Sequence, residues 1–128
     1  MLLQRRAASK YHSAGLWTNS CCGHPRPGEA VRDAAERRLK EEMGIGVPLT
    51  SQGTFIYRAD LSNGLVEHEL DHLFVGRFNG DPNPDRDEAD EWRWESWSEL
   101  QANCAAAPER YTAWLPFALR ALGDPTRF

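Results

Sequence analysis

The segment from Gly23 to Ile45 constrains the fold more strongly than any other part of this 128-residue sequence. It opens with the turn formers Gly-His-Pro-Arg-Pro-Gly, which predict a loop. Residues 29–43 then supply helix formers with apolar positions at helical spacing, and Gly44 provides a stop signal. The sequence therefore predicts a loop that leads directly into a helix ending next to Gly44.

Strand signals lie on both sides of this helix. Short β-compatible segments alternate with turn formers, and the Asn-Gly pair within the segment Leu61–Gly64 predicts a hairpin. A Ser-Trp-Ser-Glu capping pattern that begins at Ser96 predicts a short helix after the last strand. The predicted strands are residues 1–6, 16–22, 54–60, 66–78 and 91–97.

A last helix is predicted from about Pro108 to Leu122, where apolar residues recur at helical spacing. A stripe of this kind is typical of a helix that packs on a core. Its members are Tyr111, Trp114, Leu115, Ala118 and Leu122.

The strand predicted at residues 66–78 carries charge on one face. Because successive side chains of a strand point to opposite faces, Glu67, Glu69 and Asp71 share one face. Three carboxylates are therefore expected side by side. The opposite face holds Val66, His68, Leu70, His72 and Phe74.

Length and composition limit the function classes. One domain is expected from 128 residues, and a formal net charge of -4 without a basic stripe gives no indication of nucleic-acid binding. The sequence contains neither an apolar run long enough for a membrane span nor the apolar stretch of a signal peptide. We therefore expect a cytoplasmic protein that binds neither nucleic acid nor membrane. We also expect a monomer, although none of these features tests the oligomeric state. The three cysteines are an odd number, which favours reduced thiols.

The Gly23–Ile45 segment reads Gly-x5-Glu-x7-Arg-Arg-Leu-x-Glu-Glu-x-Gly-Ile and resembles the Nudix box, from which it differs at one position. The resemblance implies a Nudix-type α/β/α sandwich with a mixed sheet over residues 1–128, with N-terminal strands missing. Helix carboxylates such as Glu41 and Glu42 supply the oxygen ligands that Mg²⁺ prefers. The alternative is that both are surface residues paired with arginines one turn away on the same helix.

The position that differs is Arg38, where the Nudix box has glutamate. A hydrolase would lose a metal-binding carboxylate at this position, whereas a guanidinium can donate two hydrogen bonds to diphosphate oxygens. Arg38 therefore favours the binding of a diphosphate over its cleavage.

Three further runs resemble the type 1 isopentenyl-diphosphate isomerases within the Nudix group. They are Arg-Arg-Ala-Ala-Ser-Lys from Arg5, Leu-Trp-Thr-Asn-Ser-Cys-Cys-Gly-His-Pro from Leu16, and Glu-His-Glu-Leu-Asp-His from Glu67. The resemblance extends over nearly the whole chain and implies interconversion of isopentenyl and dimethylallyl diphosphates, a step of isoprenoid biosynthesis. Moving the double bond requires adding a proton at one carbon and removing another from the opposite face of a carbocation-like intermediate.

The resemblance also implies catalytic roles. The thiol of Cys22 and the carboxyl of Glu69 would flank the substrate, with Tyr57 assisting on the carboxyl side. Trp114 would stabilise the carbocation with its aromatic face. The alternative for Cys22 is a buried structural thiol, and the alternative for Trp114 is ordinary core packing, a role for which four other tryptophans compete.

Two divalent-metal sites follow from the same resemblance. His24, Glu67 and Glu69 match three ligands of a tight site suited to Mn²⁺, Mg²⁺ or Zn²⁺. Glu42 and the backbone carbonyl of Cys22 match ligands of a Mg²⁺ ion that bridges to the substrate.

Basic side chains would hold the diphosphate, the small-molecule substrate that the resemblance implies. Arg6, Lys10 and Arg38 match the basic groups of the family that contact it. Without the resemblance, Arg6 and Lys10 would be interpreted as part of a solvated loop.

The sequence also departs from the isomerase pattern. In the family, two further histidine ligands of the tight site normally precede the segments present here, and the resemblance implies that roughly 40 to 50 residues are missing relative to the size of the family's domain. His68 and His72 cannot replace them, because they lie on the strand face opposite to Glu67 and Glu69. His12 has no matching role in the family. Two alternatives are therefore a Nudix pyrophosphohydrolase and an inactive, truncated diphosphate-binding remnant.

Overall fold

Five strands and three α-helices are seen in the described residues, 1–61 and 63–123, of the computed structural model. None of these helices is long and apolar enough to cross a membrane. The strands are β1 (Leu2–Arg6), β2 (Trp17–Asn19), β3 (Thr50–Asp60), β4 (Val66–Val75) and β5 (Ala89–Trp94). The helices are α1 (Val31–Met43), α2 (Trp97–Ala106) and α3 (Leu115–Leu122), and a 3-10 turn (Pro108–Arg110) precedes α3.

The strands form two antiparallel units. In the first, β1 is central, with β2 on one side and β5 on the other. In the second, β3 and β4 pair as a hairpin with Tyr57 opposite Glu69. The first sheet becomes mixed at its edge, because Trp17 of β2 forms a parallel bridge with Tyr111.

The core lies on both faces of β1. Leu2 packs with Leu39 and Met43 of α1 in one buried cluster. Leu3 packs with Leu100 of α2 and Leu115 of α3 in another. Because neighbouring strand residues point to opposite faces, the first two leucines of the chain place helices on both sides of the sheet. The α/β/α arrangement expected from the sequence is confirmed.

Helix α1 ends where the sequence predicts. Gly44 adopts a left-handed conformation with φ of 67°, and its N–H donates to the carbonyl of Lys40 at 3.0 Å. A β-carbon at this position would lie 2.6 Å from the carbonyl oxygen of Asn83, so a larger residue would force the backbone to move. At α2, the Ser96 hydroxyl accepts a hydrogen bond from the N–H of Glu99, as the capping pattern predicts.

The last helix, predicted from residue 108 to 122, is wrong in its extent. The 3-10 turn ends at Arg110, Tyr111 is extended, and α3 begins only at Leu115. Pairing with β2 causes the break, since the N–H of Thr112 donates to the carbonyl of Trp17 at 2.9 Å. The predicted apolar stripe is nevertheless buried, so its spacing indicated the core residues correctly but not the backbone that carries them.

The hairpin confirms the alternation predicted for its second strand. Glu67, Glu69 and Asp71 are half-buried, whereas the residues between them are exposed. On β3, Tyr57 and Ala59 lie opposite the two glutamates in the ladder and are buried. The carboxylates therefore share the inner face of the hairpin with the core.

The hairpin strands differ in length from the prediction. β3 begins at Thr50 instead of residue 54, because a bulge between Ser51 and Thr54 continues the pairing with β4. β4 ends at Val75 instead of residue 78. The predicted turn includes Ser62, which lies outside the described residues.

Candidate active site

The loop before α1 is fastened to the helix by Arg37. Its guanidinium donates to Glu29 at 2.8 and 2.9 Å and to Glu41 at 2.6 Å. These hydrogen bonds lower the pKa of Glu29 to about 2, and they also lower the pKa of Glu41. Arg37 and its two partners therefore hold the loop of the Nudix-like segment against the helix.

Glu42 differs from Glu41, its neighbour on α1, because it is only 5% exposed. It accepts hydrogen bonds from the thiol of Cys21 at 3.0 Å and the amide of Gln4 at 3.2 Å, and Arg38 lies 3.3 Å away. Burial raises the pKa of Glu42, against the lowering effect of these partners. The interpretation as a surface ion pair therefore holds for Glu41 and fails for Glu42.

Two of the predicted diphosphate-binding cations converge on Glu88. Nζ of Lys10 lies 2.5 Å from Oε2 of Glu88, and Nη2 of Arg38 lies 3.5 Å from the same oxygen. Gly23 packs against the stem of Arg38, since a β-carbon on Gly23 would lie 2.8 Å from Cγ of Arg38. One carboxylate thus brings together cations from the loop after β1 and from α1.

The third predicted cation, Arg6, lies against the ring of Trp114. Its guanidinium carbon is 5.4 Å from the ring centroid, within the range of cation–π attraction. Nη2 donates to the backbone carbonyl of His12 at 3.2 Å, and the buried Nε has no hydrogen-bond partner among the described residues. Arg6 therefore has an unused donor next to an aromatic face that already accommodates a cation.

The adjacent thiols of Cys21 and Cys22 have different surroundings. The first donates to Glu42, whereas Cys22 is exposed and its sulfur lies 3.3 Å from Nδ2 and 3.5 Å from Oδ1 of Asn19. Cys22 retains access to solvent, yet the protein around the thiol desolvates it and raises its pKa to about 12, against the opposing effect of the Asn19 hydrogen bond. Trp114 reaches the same amide, because its Nε1–H donates to Oδ1 of Asn19 at 3.4 Å.

The carboxylates of β4 have a phenol as their partner instead of an arginine. Tyr57 donates to Glu67 at 2.6 Å and lies 3.5 Å from Glu69. Burial, a hydrogen bond with Glu69 and the nearby negative charges raise the pKa of Asp71 to about 6. Among residues 1–61 and 63–123, no lysine or arginine forms an ion pair with these three carboxylates. The negative charge of this face is therefore not neutralised by a lysine or arginine of the described residues.

Comparison with known proteins identifies the family. The NUDIX domain matches residues 1–115. Isopentenyl-diphosphate Delta-isomerase 1 of Aromatoleum aromaticum is 55% identical over 115 residues, which cover 90% of this chain and 65% of that protein. Isopentenyl-diphosphate Delta-isomerase of Serratia proteamaculans is 49% identical over 123 residues, which cover 96% of this chain and 69% of that protein. The chain belongs to the isopentenyl-diphosphate isomerases of the NUDIX family.

Solved structures agree with the fold of this NUDIX protein. A MutT protein from Methanosarcina mazei Go1 gives a TM-score of 0.69 at 22% identity, covering 94% of this chain and 80% of that one. DR0079 from Deinococcus radiodurans gives a TM-score of 0.70 at 19% identity, covering 93% of this chain and 72% of that one. At these identities the likeness concerns the fold alone, and it supports the NUDIX arrangement expected from the sequence.

Most of the predicted site residues of this NUDIX chain form one continuous group. Cys22 and Trp114 share contacts with Asn19. Arg6 covers the ring of Trp114, and the same ring packs with Tyr57 in a buried cluster. Since Tyr57 contacts both β4 glutamates, the group extends from the thiol to the carboxylate face.

The predicted ligands of the tight metal site do not form a ready-made set. Among the described residues, no group of three His, Cys, Asp or Glu side chains is arranged to hold a metal ion. His24 lies in the loop before α1 and is exposed. The assignment of His24 and the β4 glutamates as ligands stays a prediction.

Sequence reasoning did not assign three residues that the NUDIX chain places in this region. Asn19 stands in the Trp-Thr-Asn run, which carried the family resemblance without indicating a contact for the amide. Asp71 was evident as the third carboxylate on the β4 face, but not as the group whose pKa is raised. Glu88 gave no local signal, because its partner Lys10 is 78 positions away in the sequence.

Proposed function

We propose that the whole protein interconverts isopentenyl diphosphate and dimethylallyl diphosphate by protonation and deprotonation. The observation that carries this proposal is the continuous group formed by Cys22, Trp114, Tyr57 and the β4 glutamates, with basic side chains beside it. Similarity to proteins named isopentenyl-diphosphate Delta-isomerase supports it, although the chain spans 65% of the length of the Aromatoleum relative.

The reaction needs a proton at one carbon and the loss of a proton at another. A proton adds to C4 of isopentenyl diphosphate, the electrons of the C3–C4 double bond form the new C–H bond, and C3 becomes cationic. Loss of a proton from C2 then forms the C2–C3 double bond. Because the interconversion is reversible, each of the two acid/base groups has to donate in one direction and accept in the other.

Cys22 and Glu69 are the proposed acid/base pair. The raised pKa of Cys22, about 12, keeps its thiol protonated at neutral pH. On the other side, burial and the hydrogen bond to Glu67 raise the pKa of Tyr57, so its phenol also keeps its proton. Tyr57 lies next to Glu69 and is placed to stabilise whichever carboxylate is ionised.

Trp114 is the proposed stabiliser of the cationic intermediate. The guanidinium of Arg6 over its ring supports this role, because it places a positive charge against the same aromatic face. The alternative role in core packing is also fulfilled, since Trp114 is 5% exposed and packs with Tyr57, Ala59 and Leu61. Core packing fixes the ring, and a fixed ring is the better electrostatic partner.

The chemistry of the β4 face suits a divalent cation, because three carboxylates crowd there, no lysine or arginine forms an ion pair with them among the described residues, and the pKa of Asp71 is raised. His24, Glu67 and Glu69 are the proposed ligands of Mn²⁺ or another divalent ion, and Glu42 is the proposed ligand of a substrate-bound Mg²⁺. When bound, such ions would neutralise the carboxylates, alter the acidity of Glu69 and attract the diphosphate.

Arg6, Lys10 and Arg38 are the proposed contacts of the diphosphate. Arg38 is the decisive residue among them, because it stands where a NUDIX hydrolase would place a metal-binding carboxylate. Its guanidinium also contacts Glu41 and Glu88, so it is held near Lys10 before any ligand arrives. A cytoplasmic location and a monomeric state stay predictions.

Proton NMR of the protein with isopentenyl diphosphate and Mg²⁺ in D₂O tests the proposed function. The expected result is formation of dimethylallyl diphosphate with deuterium entering the allylic carbons. Release of inorganic phosphate or diphosphate without deuterium incorporation would favour the pyrophosphohydrolase. Substrate that binds and stays unchanged would favour the diphosphate-binding remnant.

A further inference from the structure

Hydrogen bonds between four side chains connect the segment before α3 to the Cys22 thiol. The hydroxyl of Thr112 donates to the hydroxyl of Thr18 at 2.9 Å, and that of Thr18 donates to Oδ1 of Asn19 at 2.8 Å. Nδ2 of Asn19 then reaches the sulfur of Cys22 at 3.3 Å. The two threonines are buried, with 1% and 3% of their surface exposed, so these bonds have little competition from water.

Two contacts with fixed donor and acceptor roles determine the orientation of the Asn19 amide. Oδ1 accepts from Nε1–H of Trp114, which can only donate, and Nδ2 donates to the backbone carbonyl of Cys21 at 2.7 Å, which can only accept. With Oδ1 facing Thr18, the Thr18 hydroxyl donates its one proton to Asn19 and accepts from Thr112. A flipped amide would place oxygen against that carbonyl and N–H against the indole N–H.

We propose that Asn19 is a positioning residue of the isomerase reaction, and this rests on the proposed function. Asn19 holds the Cys22 sulfur and the Trp114 ring in one arrangement, while Thr18 and Thr112 keep its amide in the required orientation. Asn19 itself lies on β2, whose backbone is fixed by pairing with β1. Asn19 therefore orients the exposed thiol of Cys22, and the buried hydroxyls of Thr18 and Thr112 in turn orient Asn19.

The expected consequence is a loss in kcat without a comparable loss in substrate binding. Displacing a reacting group by about 1 Å can lower the rate by about 100-fold, so Asn19→Ala should lower kcat to that extent. KM should change by no more than about two-fold, because Lys10 and Arg38, two of the groups proposed to bind the diphosphate, are held by Glu88 and not by the amide. Asn19→Asp keeps an oxygen that accepts from Trp114 but loses the N–H that donates to the Cys22 sulfur, so its kcat should be as low as that of Asn19→Ala.

Thr112 supplies the variants that separate positioning from folding. Thr112→Val removes the hydroxyl at similar volume and should lower kcat by about 10-fold, since the orientation of the amide is weakened and not abolished. Thr112→Ser keeps the hydroxyl and should retain most of the activity. Thr54→Val, on the exposed part of β3, is the matched control and should leave kcat unchanged. Thermal unfolding of each variant establishes that it is folded.

The indole N–H signal of Trp114 in a ¹⁵N correlation spectrum reports on the arrangement independently of activity. It is assigned by its disappearance in Trp114→Phe. The signal should move upfield in Asn19→Ala and in Thr112→Val, and hold its position in Thr112→Ser. A wild type without isomerase activity would overturn the proposed function and this role with it. An active wild type whose kcat is unchanged in folded Asn19→Ala, or lost equally in Thr112→Val and Thr112→Ser, would overturn the positioning role alone.

Discussion

The carboxylates of α1 and those of β4 lie in one domain but differ in their ion-pair partners. On α1, Arg37 and Arg38 pair with Glu41, and the buried Glu42 has Arg38 within 3.3 Å. On β4, the three carboxylates of the inner face have no lysine or arginine as an ion-pair partner among the described residues, and a phenol is their neighbour. The arginines of the helix therefore balance its carboxylates, whereas the described residues provide no lysine or arginine that does so for the strand.

The difference between the two regions shows which carboxylates keep a negative charge without an arginine partner among the described residues. Arginines one turn away neutralise helix carboxylates as soon as the helix forms, because residues three and four apart are neighbours. Residues two apart on a strand place like charges side by side instead. Burial, the hydrogen bond with Glu69 and the negative charges of the neighbouring glutamates together raise the pKa of Asp71. Removing a charge on the inner face of β4 should therefore affect the chemistry, whereas removing a charge on the exposed side of α1, away from Arg38 and Glu42, should not.

The largest expected effect separates one glutamate of each region. Glu69→Gln should lower kcat by a factor of about 10² to 10⁴, the range supplied by a general acid or base. Glu36→Gln on α1 removes a charge paired with Arg32 and should leave kcat within about two-fold, since exposed ion pairs contribute little. Steady-state kinetics of both variants checks this. Similar losses in the two would break the distinction between the regions.

Arg38 gives the next largest effect, on binding. Arg38→Ala should weaken binding of the substrate diphosphate by about 1.5 to 3 kcal/mol, because a charged hydrogen-bond donor is lost. Arg38→Glu should be worse, since it adds negative charge beside the diphosphate. Arg32→Ala, on the exposed part of the same helix, is the control. Isothermal titration calorimetry measures the affinity of each variant. Unchanged affinity in Arg38→Ala would mean that Arg38 does not bind the diphosphate, and it would weaken the argument against a hydrolase.

A divalent ion should stabilise the protein through β4. At a free Mn²⁺ concentration about 100-fold above Kd, the free energy of unfolding should rise by about 2.7 kcal/mol. Glu67→Gln should remove most of this gain, whereas Glu36→Gln should keep it. Thermal unfolding with EDTA and with Mn²⁺ measures the difference. A gain that survives in Glu67→Gln would place the ion away from the β4 face.

The smallest expected effect is on the pH dependence of stability without metal. Folding raises the pKa of Asp71 from 3.8 to about 6, so the folded state holds more protons than the unfolded state between these values. The contribution of Asp71 to the free energy of unfolding should therefore rise as pH falls from about 7 to about 5, whereas His12, whose pKa burial lowers, acts in the opposite direction over this interval. Glu29 acts in the opposite direction only below its ordinary pKa of 4.5, because folding lowers that value to about 2.

The control for this pH effect is Asp71→Asn, which should remove the rise. Thermal unfolding in EDTA at several pH values provides the measurement. A wild type that loses stability steadily over the same interval, in parallel with Asp71→Asn, would show that the β4 face is not under electrostatic strain.

Local patterns in the sequence predicted much of this fold. The helix stop at Gly44, the cap at Ser96 and the alternation along β4 depend on residues close in sequence, and the structure confirms all three. The break before α3 could not be predicted, because it depends on pairing between Trp17 and Tyr111. Helical periodicity indicates which residues are buried but contains no information about such a distant strand.

In the candidate site, too, features set by residues close in sequence could be predicted and features set by distant contacts could not. The motif residues were evident from the sequence, but the partners that orient them were not. Glu88, next to β5, contacts Lys10 and Arg38, which are distant in sequence, and Asn19 contacts Trp114 across 95 positions. Electrostatic consequences such as the raised pKa of Asp71 depend on burial by these long-range contacts, so they too needed the structure.

Deuterium incorporation by the two cysteine variants tests the central claim most directly, because Cys21 and Cys22 are neighbours with different partners. In D₂O with isopentenyl diphosphate and Mg²⁺, Cys22→Ala should lower the rate of deuterium entry by a factor of about 10² to 10⁴. Cys21→Ala should retain most of the wild-type rate, with both variants folded by circular dichroism. Equal loss in the two variants, or full activity in Cys22→Ala, would contradict the assignment of the Cys22 thiol to proton transfer.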